Sequence, residues 1–257
     1  MAFDPAISLR LINNERLHHS QGWAEYRDLG GALAVTSDAP TPDSNHIAGF
    51  TSDDHRIEGL LDIGFALLRA FDREPAAIVT PLDRPASLAD RLRARGMTAT
   101  AESVALAFAG EPAAISVNRD VSVRRATPDD APVFAAIATA GAPKWARTLL
   151  LSFVREAALT PANIHYLAVL EGQPVGTLQL LVDGHTAGIY AAATLKAHRR
   201  RGVCSTLLSA AVADARSAGC DVIGLQTAAG GDARVLFESL GFVTAYEFAL
   251  WTAPQRD

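Results

Sequence analysis

The stretch AHRRRGVCSTLL, residues 197–208, places a histidine and three arginines before a glycine and a run of small and apolar residues. From Val203 onward, apolar residues recur at helical spacing, which predicts a helix that ends at Gly219. A helix N-terminus carries unpaired backbone N–H groups and a partial positive charge, so this basic start suits a phosphate group. A solvated surface loop is the alternative interpretation.

Length and composition limit the class of protein. The chain has 257 residues, of which 49% are hydrophobic and 20% charged, and its net charge is −5. The length favours two domains, and the negative charge argues against a nucleic-acid binder. The start MAFDPAISLR has no apolar stretch, and no apolar run could cross a bilayer, so we expect a cytoplasmic chain without a membrane segment. With only Cys204 and Cys220, we expect neither a disulfide framework nor a metal site.

Strands and helices alternate after an unpatterned, proline-bearing segment at residues 109–120, which indicates a domain boundary near residue 116. Thr127 and Pro128 have the pattern of a helix N-cap and first helical residue. Further helices are predicted at 145–159 and 233–241, and strands at 164–172, 174–182, 187–195, 221–227 and 242–251. This alternation predicts a mixed sheet of the α/β or α+β class.

An internal repeat relates the two halves of the chain. LRARGM (92–97) resembles FESLGF (237–242), and aligning Gly96 with Gly241 gives an offset of 145 residues. The same offset places the apolar helix 59–73 on 204–218 without a gap, which predicts a duplication. It also aligns RRRGVC (199–204) with DHRIEG (54–59), where acidic residues would repel a phosphate. The sequence therefore predicts an anion site in the second half only.

The basic loop and a second motif resemble a known family. Arg199, Gly202 and Cys204 follow a strand, open a helix and match the Arg/Gln-x-x-Gly-x-Gly/Ala loop of the GCN5-related N-acetyltransferases (GNAT), with cysteine in place of the last small residue. LFESLGF (236–242) is similar to the family's Leu-Tyr-x-x-x-Gly-Phe. The resemblance covers roughly residues 120–252. It implies a tandem protein, with an acetyl-CoA-binding acetyltransferase domain at 116–257 and a degenerate copy without the cofactor loop at 1–115.

The resemblance also implies a set of cofactor-binding residues. Backbone amides of the loop would hold the pyrophosphate, and the strand before the loop would pair with the pantetheine arm and polarise the thioester carbonyl. The residues assigned in this way are Ala192, Ala193, Thr194, Leu195, Arg199, Arg200, Arg201, Gly202, Val203, Cys204, Ser205 and Phe237. The implied reaction is direct attack by an amine on the thioester, without a covalent enzyme intermediate or a metal.

Three positions depart from the family pattern. Phe237 stands where many members have a tyrosine that protonates the leaving thiolate, and Gly230 stands where a strand-end asparagine is expected. Gly188 stands where some members have a glutamate base. Tyr190 lies two residues further along the same strand and should face the same cleft, so it is the candidate catalytic residue. It would shape the substrate site, relay a proton through water or only pack.

The remaining histidines and cysteines have simpler interpretations. We expect His185 to be a solvated turn residue, and His18, His19 and His55 to be exposed. The arginines and the helix start would lower the pKa of Cys204, but a small residue that fits a phosphate loop explains it as well.

The sequence thus predicts an N-acetyltransferase that acts on a primary amine of a small molecule, peptide or protein. The alternative is a non-catalytic acyl-CoA-binding or regulatory protein.

Overall fold

The computed structural model describes residues 4–21, 24–142, 144–157 and 163–253. Its helices are α1 (Pro5–Ser20), α2 (Ile57–Ala70), α3 (Leu88–Ala94), α4 (Ala131–Ala138), α5 (Lys144–Ala157), α6 (Val203–Ser217) and α7 (Asp232–Ser239). Its strands are β1 (Glu25–Asp28), β2 (Leu33–Thr36), β3 (His46–Ala48), β4 (Ala76–Val79), β5 (Thr98–Phe108), β6 (Val121–Arg125), β7 (Asn163–Leu170), β8 (Gln173–Asp183), β9 (Thr186–Thr194), β10 (Val222–Ala228) and β11 (Phe242–Thr252).

The elements predicted for the second half are confirmed, with ends that differ by a few residues. Thr127 and Asp130 form a capping box, and a single 3-10 turn then leads into α4. The last two residues predicted for α5, 158 and 159, lie outside the described residues. No helix in the described ranges is long and apolar enough to cross a membrane.

All the named strands join one mixed sheet, and the two halves of the chain exchange strands within it. The order is β1-β2-β3-β4-β11-β5-β10-β9-β8-β7-β6. Strand β5 of the first half lies between β10 and β11, and β11 of the second half lies between β4 and β5. Each half therefore completes the sheet of the other.

The element order repeats at the spacing that the sequence predicts. The starts of α2 and α6, α3 and α7, β4 and β10, and β5 and β11 lie 144 to 146 residues apart. The two halves therefore share the succession helix, strand, helix, strand.

Helices cover both faces of the sheet. Helix α6 buries its predicted stripe against the strands of the second half, and α2 and α3 pack on the same face of the first half. The buried α6 residues are Val203, Leu207, Leu208, Ala211, Val212 and Ala215. Helices α1 and α4 cover the opposite face. Helix α1 begins at an Asp4–Pro5 cap and packs on β8, β9 and β10, so the first helix of the chain covers strands of the second half.

Candidate active site

Strands β9 and β10 form a fork at the centre of the sheet. They are parallel from Thr186 opposite Val222 to Ile189 opposite Leu225. Beyond that pair, β10 continues alongside β5, and β9 continues alongside β8. No strand of the described residues pairs with β9 on the side that faces β10 after Tyr190, so the backbone there is open to a ligand.

The predicted phosphate loop lies next to this fork. None of the backbone N–H groups of residues 200–205 donates a hydrogen bond within the described chain, and the first donor is Thr206, to the Gly202 carbonyl at 3.0 Å. Arg200 is exposed and makes no ion pair with any described residue, whereas Arg201 pairs with Glu171. Six consecutive free N–H groups beside arginines form a site of the kind that binds a pyrophosphate.

Two features fix the conformation of this loop. Gly202 caps α6 with a φ of 74°, and a side chain there would bring Cβ to 2.9 Å from Cβ of Asn118. Asn118 belongs to the segment between the halves, and its Nδ2 donates to the Arg201 carbonyl at 2.8 Å. Its backbone N–H donates to Oγ1 of Thr206 at 3.0 Å. The connecting segment therefore holds the loop open.

A bulge in β9 sets which backbone groups face the open side of the fork. The register with β8 shifts between Thr177 and Gln179, and Ala191 has a φ of 48°. The amide of Leu195 donates to the Val175 carbonyl at 2.9 Å, so it is not available to a ligand as the resemblance implies. Because amides alternate along a strand, those of Ala192 and Thr194 face the open side.

The corresponding region of the first half is closed. The carboxylate of Asp83 accepts from the amides of Phe50 and Thr80, each at 2.6 Å, and the Arg84 amide donates to the Phe50 carbonyl at 2.9 Å. These bonds tie together the segments that follow β3 and β4. The start of α2 is acidic, and its carboxylates pair with α3 through Arg91–Asp54 and Arg91–Glu58, both at 2.9 Å.

Helix α1 lies across the base of the open fork and contacts both arms. Gly188 and Gly224 are opposite each other in the β9–β10 register, and a Cβ at Gly188 would overlap Oδ1 of Asn14. A Cβ at Gly224 would overlap the side chain of Leu11. The two glycines therefore form the notch in which α1 packs, and Asn14 occupies the space where a larger residue at position 188 would place its side chain.

Polar groups of α1 meet the first side chains beyond the fork. On the β9 arm, the Tyr190 hydroxyl donates to Asn14 Oδ1 at 2.8 Å. On the β10 arm, Gln226 Nε2 donates to Glu15 Oε2 at 2.6 Å. The candidate residue Tyr190 thus faces the fork as its strand position predicts, and its hydroxyl is bound to a helix from the other half.

The ring of Tyr190 is enclosed by α1. It stacks on His18 with ring centroids 3.8 Å apart and planes 8° from parallel. Burial raises the pKa of Tyr190 well above its usual value, so the phenol keeps its proton at neutral pH. Burial lowers the pKa of His18, and its Nδ1 lies 3.4 Å from Nε2 of Gln179. The expectation that His18 is exposed is wrong, because α1 packs against the sheet and buries it.

The structure also places the other sequence candidates. Burial raises the pKa of Cys204 to about 11, so the expected effect of the arginines and helix start on this thiol is wrong. Phe237 is buried in the core, with its ring 6.0 Å from that of Phe242. His185 lies at a turn, with Nδ1 2.9 Å from the Gly219 carbonyl. In the described ranges, no cluster of three or more His, Cys, Asp or Glu residues could hold a metal ion.

Two adjoining cavities lie on the α1 face of the sheet. The first, here called the bulge cavity, has a volume of about 330 Å³ and is lined by Ala191, Gln179, His18 and the end of α4 at Thr139. The second, here called the helix cavity, has a volume of about 350 Å³ and extends beneath α1 into the first half. His19 and Val35 line both, so the two cavities adjoin.

Sequence reasoning missed the part that α1 plays in this site. The usable signals were the Asp4–Pro5 cap and the polar residues Asn14 and His18, which lie one helical turn apart beside the apolar Leu11. A polar stripe next to an apolar one indicates a helix face that is buried among polar groups. Nothing in the sequence indicates which strands that face packs on.

Comparisons with known proteins agree with this geometry. Residues 134–242 match the family model described as Acetyltransferase (GNAT) family. A GCN5-related N-acetyltransferase from Kribbella flavida superposes with a TM-score of 0.73 at 20% identity, over 99% of this chain and 98% of that one. One from Sphaerobacter thermophilus gives a TM-score of 0.69 at 16% identity, over 90% and 84% of the two chains.

A third solved structure, described as a tandem GNAT protein from the clavulanic acid biosynthesis pathway, gives a TM-score of 0.67 at 15% identity, over 95% of this chain and 89% of that one. At such identities the structural likeness concerns the fold. A search of curated protein sequences found no significant match. The match of residues 134–242 to the acetyltransferase (GNAT) family model and the fold shared with solved members of that family confirm the resemblance carried by the basic loop.

Proposed function

We propose that the protein is an N-acetyltransferase that takes its acyl group from acetyl-CoA and transfers it to a primary amine. The observation that carries the proposal is the run of six N–H groups, residues 200–205, that find no acceptor in the described chain and lie beside a parallel strand pair that separates. The catalytic domain in this proposal is 116–257, and 1–115 is a degenerate copy.

The residues present fit acetyl-CoA. The loop amides would hold its pyrophosphate, with Arg199 and Arg200 exposed beside them. The open edge of β9, through the amides of Ala192 and Thr194, would pair with the pantetheine arm. Bound in this way, the thioester supplies an activated acetyl group at the fork, next to the bulge at Ala191.

The chemistry that this arrangement supports is direct acyl transfer. The amine nitrogen forms a bond to the thioester carbon, the carbon–sulfur bond breaks, the amine loses a proton and the leaving thiolate gains one. Phe237 has no proton to give, and it lies in the core. Backbone N–H groups at the bulge would stabilise the developing oxyanion, and the α1 face would exclude water.

The contrast between the halves supports a degenerate first copy. Its helix start carries Asp54 and Glu58, whose carboxylates are paired with Arg91 and Arg95, whereas the corresponding segment of the second half, residues 199–204, has three arginines and no carboxylate. The Asp83 bonds close the fork through which a pantetheine arm would pass. The first half then serves the reaction by providing α1 and the walls of the helix cavity.

The experiment is an acetyl-CoA assay with a panel of primary amines, together with calorimetric titration of coenzyme A. Release of free thiol that depends on an amine is the expected result. Tight binding of coenzyme A without thiol release for any amine would favour the alternative, a non-catalytic acyl-CoA-binding protein. A protein that does not bind coenzyme A would contradict both.

A further inference from the structure

Glu15 is the acidic side chain that α1 places at the fork. It is half-buried, and Gln226 donates to its Oε2 at 2.6 Å. No Lys, Arg or His nitrogen of the described chain lies within ion-pair distance of this carboxylate. Burial raises the pKa of Tyr26, Tyr190 and Tyr246, and the charge of Glu15 raises each of them further. The carboxylate therefore lies among three phenols without an ion pair to any described residue, and the guanidinium of Arg16 acts on Tyr26 and Tyr246 in the opposite direction.

The helix cavity opens beside this carboxylate. Its volume of about 350 Å³ is within the range of small-molecule sites, and most of its wall is apolar. Phe50, Phe248, Tyr26 and Tyr246 contribute aromatic side chains to it. Aromatic faces attract cations, and an unpaired carboxylate does so more strongly.

The charges of the wall favour a cation over an anion. Three carboxylates line the helix cavity, those of Glu15, Asp43 and Asp83, against the single guanidinium of Arg16. His46 lines it as a neutral ring, because burial lowers its pKa to about 4, and its buried Nδ1 has no hydrogen-bond partner among the described residues. The titratable and charged groups around Glu15 are Arg16, His18, His19, Tyr26, Asp43, His46, Asp83, Tyr190 and Tyr246.

The cavity also lies within reach of the reacting centre. His19 and Val35 line both it and the bulge cavity, and the latter includes Ala191 of the β9 bulge. Glu15 is bonded to Gln226, the first residue of β10 beyond the parallel pairing. A molecule that binds in the helix cavity with one end at Glu15 therefore has that end next to the fork.

We propose that the helix cavity is the acceptor site, that its ligand is a primary amine on an apolar or aromatic body, and that Glu15 binds the ammonium group. This inference rests on the proposed function for the direction of transfer. Glu15 accepts one proton from the ammonium group and leaves the neutral amine, whose nitrogen lone pair is then free to attack. The first half of the chain thereby supplies the carboxylate that the second half lacks at Gly188.

The test is calorimetric titration of the full chain, saturated with coenzyme A, with 2-phenylethylamine and with 3-phenylpropionate, which carries a negative charge on the same body. We expect the amine to bind at least tenfold more tightly than the acid. Glu15→Gln should weaken amine binding at least tenfold, and Glu15→Asp, which keeps the charge, should have an intermediate affinity. Glu25→Gln is the matched control, because Glu25 is exposed on β1 next to Tyr26, and it should bind as the original protein does.

Retained coenzyme A affinity reports that each variant is folded. Equal amine binding in the Glu15→Gln variant and the original protein would overturn the proposal, as would equal binding of acid and amine or no binding of the amine. Thiol release from acetyl-CoA is measured on the same samples. If the amine binds through Glu15 and no amine of the panel causes thiol release, the proposed function fails while the cation site stands.

Discussion

The hydroxyl of Tyr190 donates a 2.8 Å hydrogen bond to Oδ1 of Asn14, which lies 176 residues earlier in the chain. Asn14 is almost fully buried, so this bond satisfies a polar atom that has no access to water. It joins the first helix of the first half to the fork of the second half. Both halves therefore contribute residues to the surroundings of the fork.

Tyr190→Phe should destabilise the protein by about 1–3 kcal/mol, because it leaves the buried Asn14 oxygen without its donor. The ring stacked on His18 is kept. Since burial raises the pKa of Tyr190, the phenol does not titrate near neutral pH. We therefore expect the shape of the pH profile of kcat/KM to be unchanged. Urea denaturation and initial rates measure the two effects.

Tyr166→Phe is the matched control for this variant. Tyr166 is also buried and donates to Asp214 at 2.7 Å, on the α6 side of the sheet and away from the fork. It should lower stability to a similar extent and leave kcat/KM unchanged. If Tyr190→Phe removes an ionisation from the pH profile that Tyr166→Phe retains, the tyrosine takes part in proton transfer and the expectation of an unchanged profile is wrong.

Gly188→Ala should lower the free energy of unfolding by about 1–3 kcal/mol. The added Cβ overlaps Asn14 Oδ1 and lies 2.5 Å from the Tyr190 hydroxyl oxygen, so α1 must move away from the fork. Gly59→Ala is the control of opposite sign. Gly59 lies in α2, where an added Cβ would meet no other atom within 4 Å, and alanine there should stabilise the helix by about 1 kcal/mol. Equal stability of Gly188→Ala and the original protein would show that α1 does not pack in the notch formed by Gly188 and Gly224.

Arg200→Glu should weaken coenzyme A binding at least about tenfold, or 1.4 kcal/mol, because it replaces a free guanidinium by a carboxylate at the predicted phosphate site. His55 is exposed and occupies the corresponding position of the first half, at the offset of 145 residues. His55→Glu should therefore have no effect on this affinity. Calorimetric titration of both variants with coenzyme A measures this affinity. If His55→Glu weakens coenzyme A binding and Arg200→Glu does not, the nucleotide binds in the first half.

Gly202→Ala should disturb the phosphate loop in two ways, because alanine there meets both an unfavourable backbone conformation and a steric overlap. A non-glycine residue at a φ of 74° costs about 1 kcal/mol, and here Cβ also lies 2.9 Å from Cβ of Asn118. Gly96 has a φ of 77° with nothing within 4 Å, so Gly96→Ala bears the first cost only. We expect both variants to lose stability and only Gly202→Ala to lose coenzyme A affinity. Equal coenzyme A affinity in the two variants would show that the Asn118 contact is unimportant.

The second half was largely predictable because its patterns are local. The stripe that begins at Val203, the glycine at position 202 and the N-terminal pair Thr127 and Pro128 each determine a nearby backbone conformation. The phosphate loop follows from the same short-range signals. The duplication was visible as well, because a constant offset keeps apolar positions in register.

The strand exchange and the position of α1 were not predictable, because they depend on which surfaces meet. Nothing in the sequences of β5 and β11 indicates that these two strands pair with each other across the halves. Glycine at positions 188 and 224 indicates a close approach only once the two are known to be opposite each other. For the same reason, the sequence shows that Gly188 replaces the glutamate base of some family members, but it cannot show that Asn14 fills the space beside this glycine.

Acid should unfold the protein partly through its buried histidines. Burial lowers the pKa of both His46 and His165 to about 4, whereas an unfolded histidine has a pKa near 6.5. Below pH 6.5 the unfolded chain therefore binds more protons than the folded one. The contribution of these histidines to the free energy of unfolding is fully present above pH 6.5. It is lost as the pH falls towards 4, by about 3 kcal/mol for each histidine.

His165→Gln isolates one of these contributions. The His165 ring packs edge-on against Phe134 with centroids 5.0 Å apart, and its buried Nε2 has no partner in the described chain, so protonation there is costly. The variant should lose less stability between pH 6.5 and 4 than the original protein, whatever its stability at pH 7. Exposed His55→Gln should retain the full pH dependence. Urea denaturation at a series of pH values measures the slopes, and an unchanged slope for His165→Gln would mean that the pKa of His165 is the same in the folded and unfolded chains.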